Sequence, residues 1–91
     1  MSRNISLNLP WEMSQPMNKL PIMTEREFFG CLMRYGCIHI STEGSHFKVE
    51  NPKSGLQYPV PIHGKRDIQR GFMKRILFKL GIDVDDFIKS L

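Results

Sequence analysis

Residues 37–62 read CIHISTEGSHFKVENPKSGLQYPVPI, and this stretch decides the fold. It contains three runs in which apolar and polar residues alternate, at positions 37–41, 45–50 and 56–62. Strand side chains point alternately to opposite faces of a sheet, so each run predicts a strand. The links between the runs are short and rich in turn-forming residues such as glycine, proline and asparagine. The stretch therefore predicts a three-stranded antiparallel sheet.

Helices are predicted on both sides of this stretch. Thr24 and Glu27 have the spacing of a capping box, which starts a helix that ends at Gly36. The apolar stripe of this helix consists of Phe28, Cys31, Leu32 and Tyr35. A second helix ends at Gly81, and a short third one starts with Asp83 as its cap. The apolar face of the second helix consists of Met73, Ile76, Leu77 and Leu80.

The order of these elements predicts an α+β domain: a helix, a three-stranded antiparallel sheet, a helix, and a short extra C-terminal helix. Both long helices can bury their apolar stripes against one face of the sheet, which leaves the other face uncovered. We expect Ile38, Ile40, Phe47 and Val49 to point toward the helices. The uncovered face is then expected to carry His39, Ser41, His46, Lys48 and Gln57.

Two prolines indicate where the third strand lies in the sheet. Pro59 and Pro61 have no backbone N–H to donate to a neighbouring strand. The third strand is therefore expected at an edge of the sheet, with both proline nitrogens directed away from its neighbour.

Composition limits the class of protein. The chain has 91 residues, of which 13 are Lys or Arg and 9 are Asp or Glu, and its net charge of +4 favours an anionic partner. No apolar run approaches the ~20 residues that span a bilayer, so we expect no membrane contact. Cys31 and Cys37 follow no secretory segment, which favours a reduced, cytoplasmic setting over a disulfide scaffold.

The first 22 residues differ from the rest. They are polar, contain three prolines and show no strand or helix periodicity. We expect residues 1–22 to form a flexible N-terminal arm and residues 23–91 to form a single domain. Trp11 lies within this arm, and a large aromatic side chain usually has a docking place on its own domain or on another chain.

Three sequence elements together carry a family resemblance. Gly44-Ser45-His46 starts the second strand, VPIHG (60–64) closes the third, and GFMKRIL (71–77) lies in the second long helix. In this order and spacing the chain resembles the HicA family of toxins over residues 23–82. The resemblance implies a fold similar to the double-stranded-RNA-binding domain and the activity of a ribonuclease of a type II toxin-antitoxin pair.

The resemblance also implies a site. The histidine of the Gly-Ser-His element is the catalytic residue of the family, and here that residue is His46. We expect RNA contacts from Ser45, Lys48, His63, Lys65 and Arg66. The implied partners are messenger RNA and a cognate HicB-like antitoxin, the toxin alone being monomeric.

Ribonuclease chemistry is possible without a cofactor, because the 2′-hydroxyl of RNA is itself the nucleophile. His46 is the candidate base, since an imidazole exchanges protons near neutral pH. Lys48 is either a stabiliser of phosphate charge or a solvated strand lysine. His63 is either the acid that protonates the leaving oxygen or a residue with a structural hydrogen bond. No His or Cys pair has zinc spacing, so no metal is expected.

A second reading stays open. Glu43 stands where the family usually has basic residues, beside Ser41 and Thr42, and its carboxylate repels phosphate. This departure favours a non-catalytic RNA-binding or protein-interaction module of the same fold. The second helix also carries the basic residues Arg70, Lys74, Arg75 and Lys79. They either attract an anionic partner or form the solvated face of an amphipathic helix.

Overall fold

A computed structural model describes residues 19–91, and the expectations for residues 1–18, including that for Trp11, lie outside them. The chain forms three helices and five strands within the described part. In chain order these are β1 (Met23–Thr24), α1 (Glu25–Tyr35), β2 (Ile38–Glu43), β3 (His46–Asn51), β4 (Leu56–Pro61), β5 (Asp67–Ile68), α2 (Arg70–Lys79) and α3 (Val84–Lys89). The predicted α+β class is confirmed, and the architecture is compatible with that of the double-stranded-RNA-binding domain.

The main sheet is antiparallel with strand order β2-β3-β4. Val49 of β3 and Val60 of β4 are fully buried on the face that the helices cover. The edge position of β4 agrees with its prolines. The amide of Ile62 donates to the carbonyl of Ser45 at 2.6 Å, and the alternation of an antiparallel ladder then directs the nitrogens of Pro59 and Pro61 outward.

The capping box starts α1 as predicted. The amide of Glu27 donates to Oγ1 of Thr24 at 3.1 Å, and the amide of Thr24 donates to Oε1 of Glu27 at 2.8 Å. Gly36 ends the helix with a positive φ of 124°. The helix thereby has fixed ends on either side of its apolar stripe.

The core lies between the helices and one face of the sheet. Phe28 of α1 and Phe87 of α3 meet edge to face with ring centroids 5.6 Å apart, which joins the C-terminal helix to the first one. The fully buried side chains include Phe28, Leu32, Val49, Val60, Met73, Ile76, Leu77, Leu80 and Phe87. The predicted apolar faces of both long helices are thus the buried ones.

Strand β2 differs from the prediction. Ile38 and Ile40 do not face the core but are 46% and 42% exposed, and His39 lies on the helix side of the sheet rather than on the uncovered face. The register explains the difference, because Ile38 lies opposite Glu50 whereas His39 lies opposite the buried Val49. An irregularity between His39 and Ser41 then returns Ser41 to the uncovered face.

The imidazole of His39 has partners on the helix side. Its ring stacks on Phe47 with centroids 4.7 Å apart and meets Phe29 of α1 edge to face at 5.5 Å. Its Nε2 lies 2.8 Å from Oγ1 of Thr42. A histidine can therefore occupy this position at the margin of the core, where aromatic rings contact its faces and a hydroxyl contacts its nitrogen.

Two further features of the fold were not predicted. Leu20 is fully buried, so the packed part of the chain includes a residue that the prediction assigned to the arm. Strands β1 and β5 form a short antiparallel pair in which Met23 lies opposite Ile68. This pair joins the start of α1 to the segment that enters α2.

We predict that Ile76→Ala lowers the free energy of unfolding by ~2–5 kcal/mol, because the fully buried side chain leaves a cavity. The matched control is Phe78→Ala on the same helix, where the side chain is 77% exposed and the change should stay within ~0.5 kcal/mol. Urea denaturation of both variants measures the difference. Equal losses would contradict the assignment of the buried face of α2.

Candidate functional site

His46 is exposed at the start of β3. It lies directly opposite Glu43 of β2 and Pro61 of β4. Its neighbours along the strand, Phe47 and Val49, are half-buried and fully buried on the helix side. The predicted alternation is therefore observed, and the imidazole stands on the uncovered face of the sheet.

A shallow depression of about 300 Å³ surrounds His46 on this face. Its lining consists of Ser41, Glu43, His46, Lys48 and Pro59. Lys48 lies two residues along the strand from His46 and directly opposite Ser41. The depression thus combines an imidazole and an ammonium group with one carboxylate, that of Glu43, which weakens its attraction for phosphate.

A second histidine lies beside the first. His63 follows the end of β4, and because Pro61 pairs with His46, the chain brings His63 next to the same strand position. The ring centroids of His46 and His63 are 5.9 Å apart and the ring planes are nearly perpendicular, at 85°. Two groups that can each donate or accept a proton therefore meet edge to face.

A buried carboxylate holds the segment that carries His63. Glu25, the first residue of α1, is 3% exposed. Its Oε1 accepts the backbone amide of His63 at 2.7 Å, and its Oε2 accepts Nε of Arg66 at 3.2 Å. The amide of Glu25 in turn donates to the carbonyl of Arg66 at 2.9 Å. Glu25 therefore fixes both ends of the turn 63–66, in which Gly64 takes a φ of 108° that few other residues adopt.

The electrostatics of Glu25 follow from these contacts. Burial by itself raises the pKa of the Glu25 carboxyl, but the hydrogen bonds from the His63 amide and from Arg66 outweigh burial and lower that pKa below its ordinary value. Glu25 is therefore a charged carboxylate at neutral pH.

The contacts of the His63 ring select the tautomer of its neutral form. Nη2 of Arg66 lies 2.7 Å from Nδ1 of His63, and a guanidinium can only donate. Nδ1 therefore acts as the acceptor, and the proton of the neutral ring is on Nε2. Oε1 of Glu25 lies 3.4 Å from the same Nδ1, so it is the nearby acceptor when the ring takes up a second proton.

The other predicted site residues lie in different places. Arg66 joins the His63 group, whereas Ser45 is half-buried in the turn between β2 and β3 and contributes its carbonyl to the Ile62 amide. Lys65 does not line the depression around His46 and lies on the α1 side of the turn 63–66. The structure thus brings His46 together with Lys48 and His63, and places Ser45 and Lys65 apart from them.

Glu25 was missed by the sequence analysis. An acidic residue in the first turn of a helix is usually solvated, and its negative charge interacts favourably with the helix dipole. The available signal was its spacing, since Glu25 lies three residues before Phe28 and seven before Leu32, and so continues the buried stripe of α1.

No group of three or more His, Cys, Asp or Glu side chains within residues 19–91 is arranged to hold a metal ion. In the same residues no helix has the length and hydrophobicity needed to cross a membrane. Burial raises the pKa of the Cys37 thiol to about 11, so this thiol stays protonated at neutral pH.

Comparison with known proteins gives one family. Residues 26–82 match the model of a family described as the HicA toxin of bacterial toxin-antitoxin systems. The matched range contains β2–β4, α2, His46 and His63, and it covers more than half of the chain. Searches of the curated proteins and of the solved structures gave no significant match.

The lowered pKa of Glu25 predicts an acid-dependent stability. A carboxyl whose pKa is lower in the folded than in the unfolded chain stabilises the fold above its unfolded value, near 4.5, and this contribution is lost as pH falls through the folded value. We therefore expect Glu25→Gln to lower the free energy of unfolding by ~1–3 kcal/mol at neutral pH and to reduce its loss on acidification.

The measurement is urea denaturation of wild type and variant from pH 7 to pH 3. Glu43→Gln, which changes an exposed carboxylate of the same charge, is the control and should keep the acid dependence of the wild type. A Glu25→Gln variant with an unchanged acid dependence would contradict the assigned contacts.

Proposed function

The chain belongs to the HicA family of bacterial toxin-antitoxin toxins, and on this premise we propose that it is a metal-independent endoribonuclease that cleaves messenger RNA and blocks translation. The observation that carries the proposal is the pair His46 and His63, with ring centroids 5.9 Å apart on the uncovered side of the sheet. Family membership supports the role as a toxin. The histidine pair supports cleavage of RNA by a base and an acid.

The reaction needs one base and one acid. His46 removes the proton of the ribose 2′-hydroxyl, and the freed oxygen attacks the adjacent phosphorus. The bond from phosphorus to the 5′-oxygen breaks, and that oxygen takes a proton from His63. The products are a 2′,3′-cyclic phosphate and a 5′-hydroxyl. A base and an acid that act on one phosphate must each come within ~3 Å of one of its oxygens, and the ring centroids of His46 and His63 are 5.9 Å apart.

The neighbouring charges have separate tasks in this mechanism. Lys48, on the strand of His46, stabilises the negative charge that grows on the phosphate. Glu25 positions His63 by accepting its backbone amide. Ser45, Lys65 and Arg66 contribute to RNA binding around this centre. Glu43 opposes binding, so the site relies on the surrounding cations for affinity.

A HicB-like antitoxin neutralises the toxin in this proposal by occupying the uncovered face around His46. Support comes from the position of that face, because both long helices pack on the other side of the sheet and His46 and Lys48 are exposed. A protein seated there would exclude RNA from both histidines.

The second candidate is a non-catalytic RNA-binding or protein-interaction module. It is favoured by Glu43, which lies directly opposite His46. The two candidates predict the same fold and differ in turnover alone.

We predict that wild-type protein cleaves a defined transcript in EDTA, and that His46→Ala abolishes cleavage while its melting temperature stays nearly unchanged, because an exposed side chain adds little stability. His39→Ala is the control, since His39 lies on the other side of the sheet and should keep the cleavage pattern. RNA that is bound but left intact by the wild type, in EDTA and in magnesium alike, favours the binding module.

The acid role of His63 predicts a change in the pH dependence of cleavage. A base and an acid together give a bell-shaped rate profile, and the alkaline limb reports loss of the acid proton. We expect His63→Ala to lower the rate ~10²- to 10⁴-fold and to remove the alkaline limb, measured by single-turnover cleavage. A variant that is slower but keeps both limbs would assign His63 a structural task.

A further inference from the structure

A groove lies between one side of α1 and the turn that follows His63. Its lining includes Arg26, Gly30 and Arg34 of α1 together with Gly64 and Lys65, and its volume is about 290 Å³. The groove is separate from the depression around His46, yet Gly64 and Lys65 directly follow His63 in the chain. Part of its lining therefore belongs to the turn 63–66 that carries His63.

Three cations line this groove. Arg26 and Arg34 are exposed on α1, and Lys65 is exposed on the opposite side. None of the three has a carboxylate oxygen within 4.0 Å among residues 19–91. The one acidic residue of the lining, Glu27, already accepts the amide of Thr24 at 2.8 Å. The groove thus has an excess of positive charge, which suits a polyanion.

The helix presents these groups in a line. Arg26, Gly30 and Arg34 are spaced four residues apart, so they lie on one side of α1 over ~12 Å. The guanidinium of Arg34 is held beside the glycine, because Nη2 donates to Sγ of Cys31 at 3.2 Å and Nη1 lies 3.8 Å from where a Cβ of Gly30 would stand. Two positive side chains therefore flank a position with no side chain.

No packing contact within residues 19–91 requires a glycine at position 30. A glycine in the middle of a helix is less stable than alanine. Apart from the backbone of α1 and the two chain neighbours, the only atom of residues 19–91 within 4 Å of a Cβ built there is Nη1 of Arg34. The missing side chain leaves the floor of the groove open to the backbone of a ligand. Glycines at such positions serve the close approach of another chain.

We propose that this groove binds the sugar-phosphate backbone of the RNA strand next to the phosphate that His46 and His63 act on. The inference rests on the proposed function, because RNA is the polyanion that the histidine pair requires. Arg26, Arg34 and Lys65 contact phosphates, and Gly30 lets the strand lie against the helix. The groove sets the path of the substrate and contributes affinity that is independent of base sequence.

The first test compares two pairs of charge removals in full-length protein that also carries His46→Ala. Arg26→Gln with Arg34→Gln removes the groove pair, and Arg75→Gln with Lys79→Gln removes two exposed cations from α2. Binding of a fluorescein-labelled oligoribonucleotide of mixed sequence is measured by anisotropy over a range of salt concentrations.

We expect the groove pair to reduce the slope of log K against log salt by about 1.4, or ~0.7 for each lost phosphate contact, and the α2 pair to leave it unchanged. Equal slopes for the two double variants would overturn the proposal.

The second test separates shape from charge. Gly30→Gln keeps the net charge and places a helix-favouring side chain on the floor of the groove. We expect it to raise the melting temperature while weakening RNA binding severalfold. Binding equal to that of the parent would overturn the close approach at Gly30.

Cleavage by protein with an intact His46 distinguishes failure of the groove from failure of the proposed function. If that protein cleaves RNA and the groove variants cleave and bind like their parent, the groove proposal alone is wrong. If it does not cleave but the groove pair still changes the salt slope, the groove is supported and the ribonuclease is not.

Discussion

The carboxylate of Glu25 is the constraint on which the site depends. It is buried at the start of α1, yet it remains charged because the His63 amide and Arg66 donate to it. These contacts attach the turn 63–66 to the helix and hold His63 beside His46. A buried charge without partners is costly, so the helix, the turn and the histidine keep one arrangement.

The sheet positions the other histidine of the pair, His46. Alternation along β3 buries Val49 among the helices and leaves His46 and Lys48 on the uncovered face. Pairing with Pro61 at the edge strand then sets how far His63 stands from His46. One face of β3 thus packs in the core while the other carries His46 and Lys48, and the sheet fixes the backbone position of His46.

Local patterns predicted much of this fold, and the failures have physical causes. The capping box of Thr24 and the alternation that exposes His46 are signals contained within a few residues, and both were read correctly. The exposure of Ile38 and the position of His39 on the helix side of the sheet depend on cross-strand register and on two aromatic rings, Phe29 and Phe47. The proximity of the two histidines and the burial of Glu25 likewise arise only when separate segments meet, so single-sequence patterns carry little trace of them.

The central claim is that two imidazoles, without a metal, carry out cleavage through the ribose 2′-oxygen. Analysis of the RNA ends after digestion by the purified protein in EDTA tests this most directly. We expect a 2′,3′-cyclic phosphate on the upstream fragment and a 5′-hydroxyl on the downstream one. A 3′-hydroxyl paired with a 5′-phosphate, or RNA left uncut, would contradict it.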